Sequence, residues 1–221
     1  NIQRLQAAFR GRGLEVLHAR IACHTHDGRD RSLSQKLPGW NNLLLPKNEW
    51  ESQLAPQIAA VGDEIVVTKT TDSALTGTNL RLILSNLGIT HVVCCGIFTD
   101  QCVSSTVRSL ADESYAVIVL DDCCAAATDD LHVKELEIIN MIYCHVMSSS
   151  DLAHLLDARR RLVEQDVAAR LDVGLGAAEG LVDAEALARV GAGDDEEIAA
   201  RPGIERDLDL GRHFLDRHQL L

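Results

Sequence analysis

Two residues in this chain carry most of its chemical potential, a cysteine and a lysine. Cys102 lies in the run VVCCGIFTDQCVSSTVRSLADESYAVIVLDDCCAA, which reads as strand, glycine turn, cysteine, helix, strand. Where a helix begins, free N–H groups and the positive end of the dipole favour a thiolate, the form of cysteine that attacks a carbonyl carbon. On placement alone two readings stand: a nucleophile, or a small buried residue like the other cysteines. Lys69 is one of four lysines and ends the apolar run EIVVTK. It is either a charge set beside the cysteine or a solvated charge at a strand end. A second group is His24-Thr25-His26-Asp27. Histidines at i and i+2 near a strand end point the same way, so they can bind a metal, touch a substrate or sit in a hydrogen-bonded loop. In the same stretch Arg29 is either a carboxylate clamp or an exposed loop residue, and Trp40 and Trp50 either wall a pocket or pack on the surface. The residues taken forward as substrate contacts are Arg29, Trp40 and His26. No metal and no cofactor are expected.

The chain has 221 residues, enough for one α/β domain with some left over, and 46% of them are hydrophobic. Only seven are aromatic, so the core must be built from Ala, Val, Leu and Ile. A net charge of −12, with no basic stripe, argues against a nucleic-acid partner. No apolar run approaches the roughly 20 residues of a membrane helix, so no membrane partner is expected. Seven cysteines, two pairs of them adjacent within apolar runs, do not form a disulfide framework. They suit a reducing cytosol, and the expected location is cytoplasmic. The sequence begins at Asn1 rather than Met.

Around these residues the spacing predicts a helix over 1–12, a strand over 14–23 and a long loop over 24–50. A strand at 64–69, a helix at 78–87, a strand at 90–95 and a helix at 102–111 follow, then a strand at 115–120, a helix at 131–140 and a short strand at 144–147. Apolar strands alternating with helices imply an α/β fold, a doubly wound, mostly parallel sheet flanked by helices. In such sheets sites lie at the carboxyl ends of strands, where Lys69, the 96–102 turn and Asp121/Asp122 fall. Residues 151–221 hold sixteen acidic side chains, nine Arg and no Lys. The expected organisation is therefore an α/β domain over 1–155 and an acidic helical or partly disordered extension over 156–221.

Gly96-Ile97-Phe98-Thr99-Asp100-Gln101-Cys102-Val103, followed by Ser105-Thr106, resembles the G-x-x-T-[DN]-x-C-V-x-x-T signature of the isochorismatase-like cysteine hydrolases. That family includes nicotinamidase and the N-carbamoylsarcosine, ureidoacrylate and biuret amidohydrolases. Lys69 to Leu75 resembles its K-x-x-x-S-A-F block, with Leu75 in place of Phe and with Ser73 and Thr78 fitting the pattern. The resemblance implies hydrolysis of a small amide or ureido C–N bond through a thioester. Cys102 would be the nucleophile of a Cys-Lys-Asp triad and Lys69 its lysine. It also implies a cis Ile97–Phe98 peptide, an oxyanion hole from the backbone N–H groups of Phe98 and Cys102, and a homo-oligomer. Thr99 and Asp100 would support the turn by hydrogen bonds, and Asp121 and Asp122 would be structural turn residues.

The family's triad Asp lies on a first strand of the form hydrophobic-hydrophobic-D-x-Q. Nothing of that form occurs in 1–221, and Asp27, Asp30 and Asp100 are poor substitutes. The expectation is a missing upstream segment, including that strand. Two other functions stay open: an isochorismatase-type vinyl-ether hydrolase, a branch that does not need the cysteine, and a non-catalytic family member acting as an interaction protein.

Overall fold

The computed structural model describes residues 1–36, 44–158 and 161. The chain divides into two compact units, the first holding Asn1–Leu152 and the second beginning at Ala153. In the second, the described residues 153–158 are helical; the predicted acidic extension otherwise lies outside the described residues.

In the first unit the order is α1 (Ile2–Arg10), β1 (His18–Ile21), α2 (Leu33–Lys36), β2 (Val66–Lys69), α3 (Leu80–Asn86), β3 (His91–Ile97), α4 (Ser104–Asp112), β4 (Ala116–Ala125), α5 (Asp129–Asn140) and β5 (His145–Met147). A single π-helical turn, Thr99–Val103, joins β3 to α4. Every described strand pair is parallel. The strands form two sheets, β1-β2 and β3-β4-β5. This is the expected α/β frame of mostly parallel strands flanked by helices.

Burial follows that pairing. β4 is bonded along both edges, and Val117, Ile118, Val119 and Leu120 are all buried. Among the described residues β3 is bonded along one edge only, and Val92 to Cys95 are half-buried although their run is equally apolar. β4 also runs further than predicted, to Ala125. Its register with β3 jumps from Cys94↔Val119 to Gly96↔Cys124, so Asp121 and Asp122 lie in a bulge within the strand rather than in a turn after it. The core is aliphatic: Val107 and Leu110 on one face of α4 cluster with Val67, Leu84, Val119 and Ile139.

Glu64 ties the start of this unit together. Its carboxylate takes the Arg10 guanidinium of α1 at 2.7 Å and the His18 ring of β1 at 3.1 Å. The Arg10 hydrogen bond, with those from the Val61 N–H and His18, holds the Glu64 carboxyl down at about 2 despite partial burial. A depressed carboxyl contributes stability that is present above its unfolded value and lost as pH falls through the folded one. Thermal unfolding of the parent is therefore expected to weaken between roughly pH 5 and pH 2. Glu64→Gln is expected to lower Tm near neutral pH by about 5 °C and to flatten that acid limb. An unchanged limb in melting curves of the variant would remove Glu64 as its source.

Candidate active site

The carboxyl ends of β2 and β3 place the site. Lys69 is the last residue of β2 and is buried, 4% exposed. Burying an ammonium is costly unless polar atoms surround it. Lys69 Nζ donates to the Thr71 carbonyl at 2.9 Å and to Cys102 Sγ at 3.1 Å. The structure thus brings together the two residues singled out by type and spacing, 33 positions apart. It sets a positive charge where the negative charge of a thiolate would reside. Cys102 is half-buried and lies inside the π-helical turn, two residues ahead of α4, rather than at the first residue of the helix as expected.

That turn is held from several sides. The Ile97–Phe98 peptide is cis. The Phe98 carbonyl accepts from the N–H groups of Gln101 (3.0 Å) and Val103 (3.1 Å). Thr99, fully buried, pairs its hydroxyl with His132 Nδ1 of α5 at 2.8 Å. The Thr106 hydroxyl donates to the Cys102 carbonyl at 2.7 Å and accepts from the Ala74 N–H at 3.0 Å, which links the Cys102 turn to the loop after Lys69. Ser73 and Ser109 add a second link at 2.8 Å. Asp100 does not brace the turn as expected. Among the described residues one of its oxygens is buried without a partner, and the other has only a long contact from Gln101 at 3.5 Å.

Thr106→Val keeps the shape but removes both side-chain bonds and leaves the Ala74 N–H without its acceptor. The expected loss is about 2 kcal/mol in denaturant unfolding, with a further fall in Cys102 reactivity as the two segments drift apart. Parent-like stability and reactivity would show that the link is not needed.

The other cysteines sit in a different environment. Burial pushes the Cys95 thiol up to about 11 and the Cys124 and Cys144 thiols up to about 12, and it raises Cys94 and Cys123 as well. These five are protonated at neutral pH and are poor nucleophiles. All seven cysteines are free.

The 24–31 segment is a hydrogen-bonded loop organised by Asp30. Burial raises the Asp30 carboxyl, but the Thr25 hydroxyl and the N–H groups of His24 and Thr25 outweigh this and hold it well below the ordinary range. His24 and His26 are exposed. Among the described residues no group of three or more His, Cys, Asp or Glu side chains is placed to hold a metal ion. Arg29 pairs with the exposed Asp27 at 3.3 Å. Trp50 is 79% exposed. Trp40 lies outside the described residues.

One residue at the site was missed in the sequence. Asp72 Oδ1 lies 3.8 Å from Cys102 Sγ, in hydrogen-bond geometry with it. The available signal was the spacing Lys69-x-x-Asp72 within the block that already carried the lysine. A surface depression of about 530 Å³ elsewhere is lined by Leu75, Thr78, Arg81, Ser109 and Glu113 among others, and includes none of Lys69, Asp72 and Cys102.

Comparison with known proteins identifies the family. The family model described as the isochorismatase domain matches residues 1–151. The uncharacterised isochorismatase family protein YecD of Escherichia coli O157:H7 is 28% identical over 155 residues, covering 70% of this chain and 79% of that protein. The ureidoacrylate amidohydrolase RutB of Yersinia enterocolitica is 28% identical over 147 residues, covering 61% of this chain and 64% of RutB, so the chain spans just under two thirds of that relative. Among solved structures, N-carbamoylsarcosine amidase from Thermoplasma acidophilum superposes with a TM-score of 0.57 at 25% identity, covering 66% of this chain and 79% of that one. A family match across two thirds of the sequence, on a parallel α/β frame, makes this chain a member of the isochorismatase family.

Proposed function

We propose that this chain hydrolyses the C–N bond of a small amide or ureido compound, with Cys102 as nucleophile and Lys69 as its charge partner. The observation that carries this reading is the 3.1 Å approach of the buried Lys69 ammonium to the Cys102 sulfur. Two relatives, by their names, are amide-cleaving enzymes, an amidohydrolase and an amidase.

In the first half-reaction the sulfur attacks the substrate carbonyl and a C–S bond forms. The carbonyl electrons move to oxygen, and the backbone N–H groups of Phe98 and Cys102 are the donors we assign to that oxyanion. Donors fixed in advance are worth about 3 kcal/mol each at the transition state. The C–N bond then breaks, the amine or ammonia departs, and an acyl group remains on Cys102. Water cleaves this thioester in the second half-reaction. His26, Arg29 and Trp40 remain the candidates for substrate contact. A reducing compartment fits the mechanism, since a disulfide at Cys102 would remove the nucleophile.

The test is ammonia release from nicotinamide, ureidoacrylate, biuret, N-carbamoylsarcosine and maleamate. Turnover of at least one is expected from the parent chain. Release no faster than the enzyme-free blank across the whole panel would contradict the reading.

A further inference from the structure

The inward stripe of α5 is His132, Glu135, Leu136 and Ile139, at i, i+3, i+4 and i+7, and the residues between them are exposed. Leu136 and Ile139 join the aliphatic core. The other two are polar where an apolar side chain would bury at less cost. Each of them reaches a different neighbour. Glu135 meets Arg108 of α4 at 2.7 Å. His132 Nδ1 meets the Thr99 hydroxyl at 2.8 Å.

Thr99 directly follows Phe98, whose N–H is one of the two donors assigned to the oxyanion. It is fully buried, so bulk water does not reach its hydroxyl. The far end of the same turn is held separately. Lys69 Nζ meets the Cys102 sulfur at 3.1 Å, and the Thr106 hydroxyl donates to the Cys102 carbonyl at 2.7 Å. Residues of β2 and α4 thus hold the nucleophile, while α5 reaches the end of the turn that carries the Phe98 donor. The base of that contact is firm. Thr128 caps α5 by accepting from the Leu131 N–H, and the His132 N–H donates to the Thr128 carbonyl at 3.1 Å. Ile139 anchors the same face one and two turns further on.

We propose that His132 is a positioning residue for the oxyanion hole: through Thr99 it fixes the Phe98 N–H, while Cys102 is held without it. This rests on the reading above that Cys102 attacks a carbonyl carbon. Whichever of the two atoms donates, the bond sets the distance between α5 and the turn. Without the ring nitrogen the Thr99 hydroxyl is a buried polar group with no partner, and the turn shifts to relieve it. A donor displaced by about 1 Å no longer meets the oxyanion, a change that can cost about 100-fold in rate. Thiolate formation is untouched, because it depends on Lys69.

The test compares two reactions of Cys102 in the full chain. p-Nitrophenyl acetate gives its acetyl group to the sulfur through a tetrahedral oxyanion and releases p-nitrophenolate. Iodoacetamide alkylates the sulfur by displacing iodide at a saturated carbon, with no oxyanion. His132→Leu is expected to slow acylation by about tenfold or more, read as p-nitrophenolate release above a Cys102→Ala blank, with alkylation within about threefold of the parent. His132→Asn keeps a polar atom on the branch where Nδ1 sits and is expected to recover most of the loss. Thr99→Val combined with His132→Leu removes both partners, so stability returns toward the parent while acylation stays slow. With a panel substrate His132→Leu should lower kcat by about tenfold or more and leave KM within about threefold. Acylation within about threefold of the parent, acylation and alkylation falling together, or a double variant that acylates like the parent would overturn the assignment. If the parent cleaves no panel member, the amide reading fails by itself, and the ratio of acylation to alkylation still decides the role of His132.

Discussion

Cys102→Ala is expected to remove amide hydrolysis to background, a loss of about 10⁴-fold or more, while Cys95→Ala stays within about threefold of the parent. The contrast follows from where the two sulfurs lie. Cys102 has an ammonium at 3.1 Å and a carboxylate at 3.8 Å. Cys95, seven residues earlier on β3, has its thiol pushed up to about 11 by burial. Cys102→Ser should not rescue the rate, because a hydroxyl in that place is far less nucleophilic than a thiolate. Ammonia release from an active panel member measures all three variants. Equal losses at positions 95 and 102, or no loss at either, would remove Cys102 from the chemistry.

Lys69→Met is expected to cost about 100- to 1000-fold in kcat/KM while leaving the fold as stable as the parent or more so. The side chain is 4% exposed, and its charge is met by one carbonyl and one sulfur. Few partners leave much of the desolvation cost standing, so an apolar side chain of similar length relieves it. Stability and activity should then move in opposite directions, a pattern common where a site holds a charge for function. Lys69→Arg is a weak substitute, because a planar guanidinium does not fit a buried point-charge position. Steady-state rates and denaturant melts on one preparation check both halves. A variant that loses stability along with activity would recast Lys69 as a structural residue.

Much of the frame was legible because each element carries its own signal. The runs EIVVTK and YAVIVL predict β2 and β4, and the structure places β2 at Val66–Lys69 and β4 from Ala116. Gly11, past the end of α1, marks the helix stop. Legibility ends where a feature depends on which segments meet. The half-burial of β3 and the bulge around Asp121 and Asp122 are both properties of pairing, which a strand's own residues do not encode. The site divides the same way. Cys102 and Lys69 stand out by type and position. Asp72 gave only a spacing, and its contact depends on the loop after β2 folding against the turn after β3. The Thr99–His132 bond between that turn and α5 was likewise invisible from either segment alone.

The most direct measurement is competitive labelling of the native chain near neutral pH with a sub-stoichiometric amount of iodoacetamide, followed by peptide mapping of all seven cysteines. A cysteine beside a buried ammonium should take the label first, so the expected product carries it on Cys102, and Lys69→Met should slow that labelling by about tenfold or more. Label appearing first on Cys95, Cys123 or Cys144, or spread evenly over the chain, would contradict a reactive sulfur at position 102.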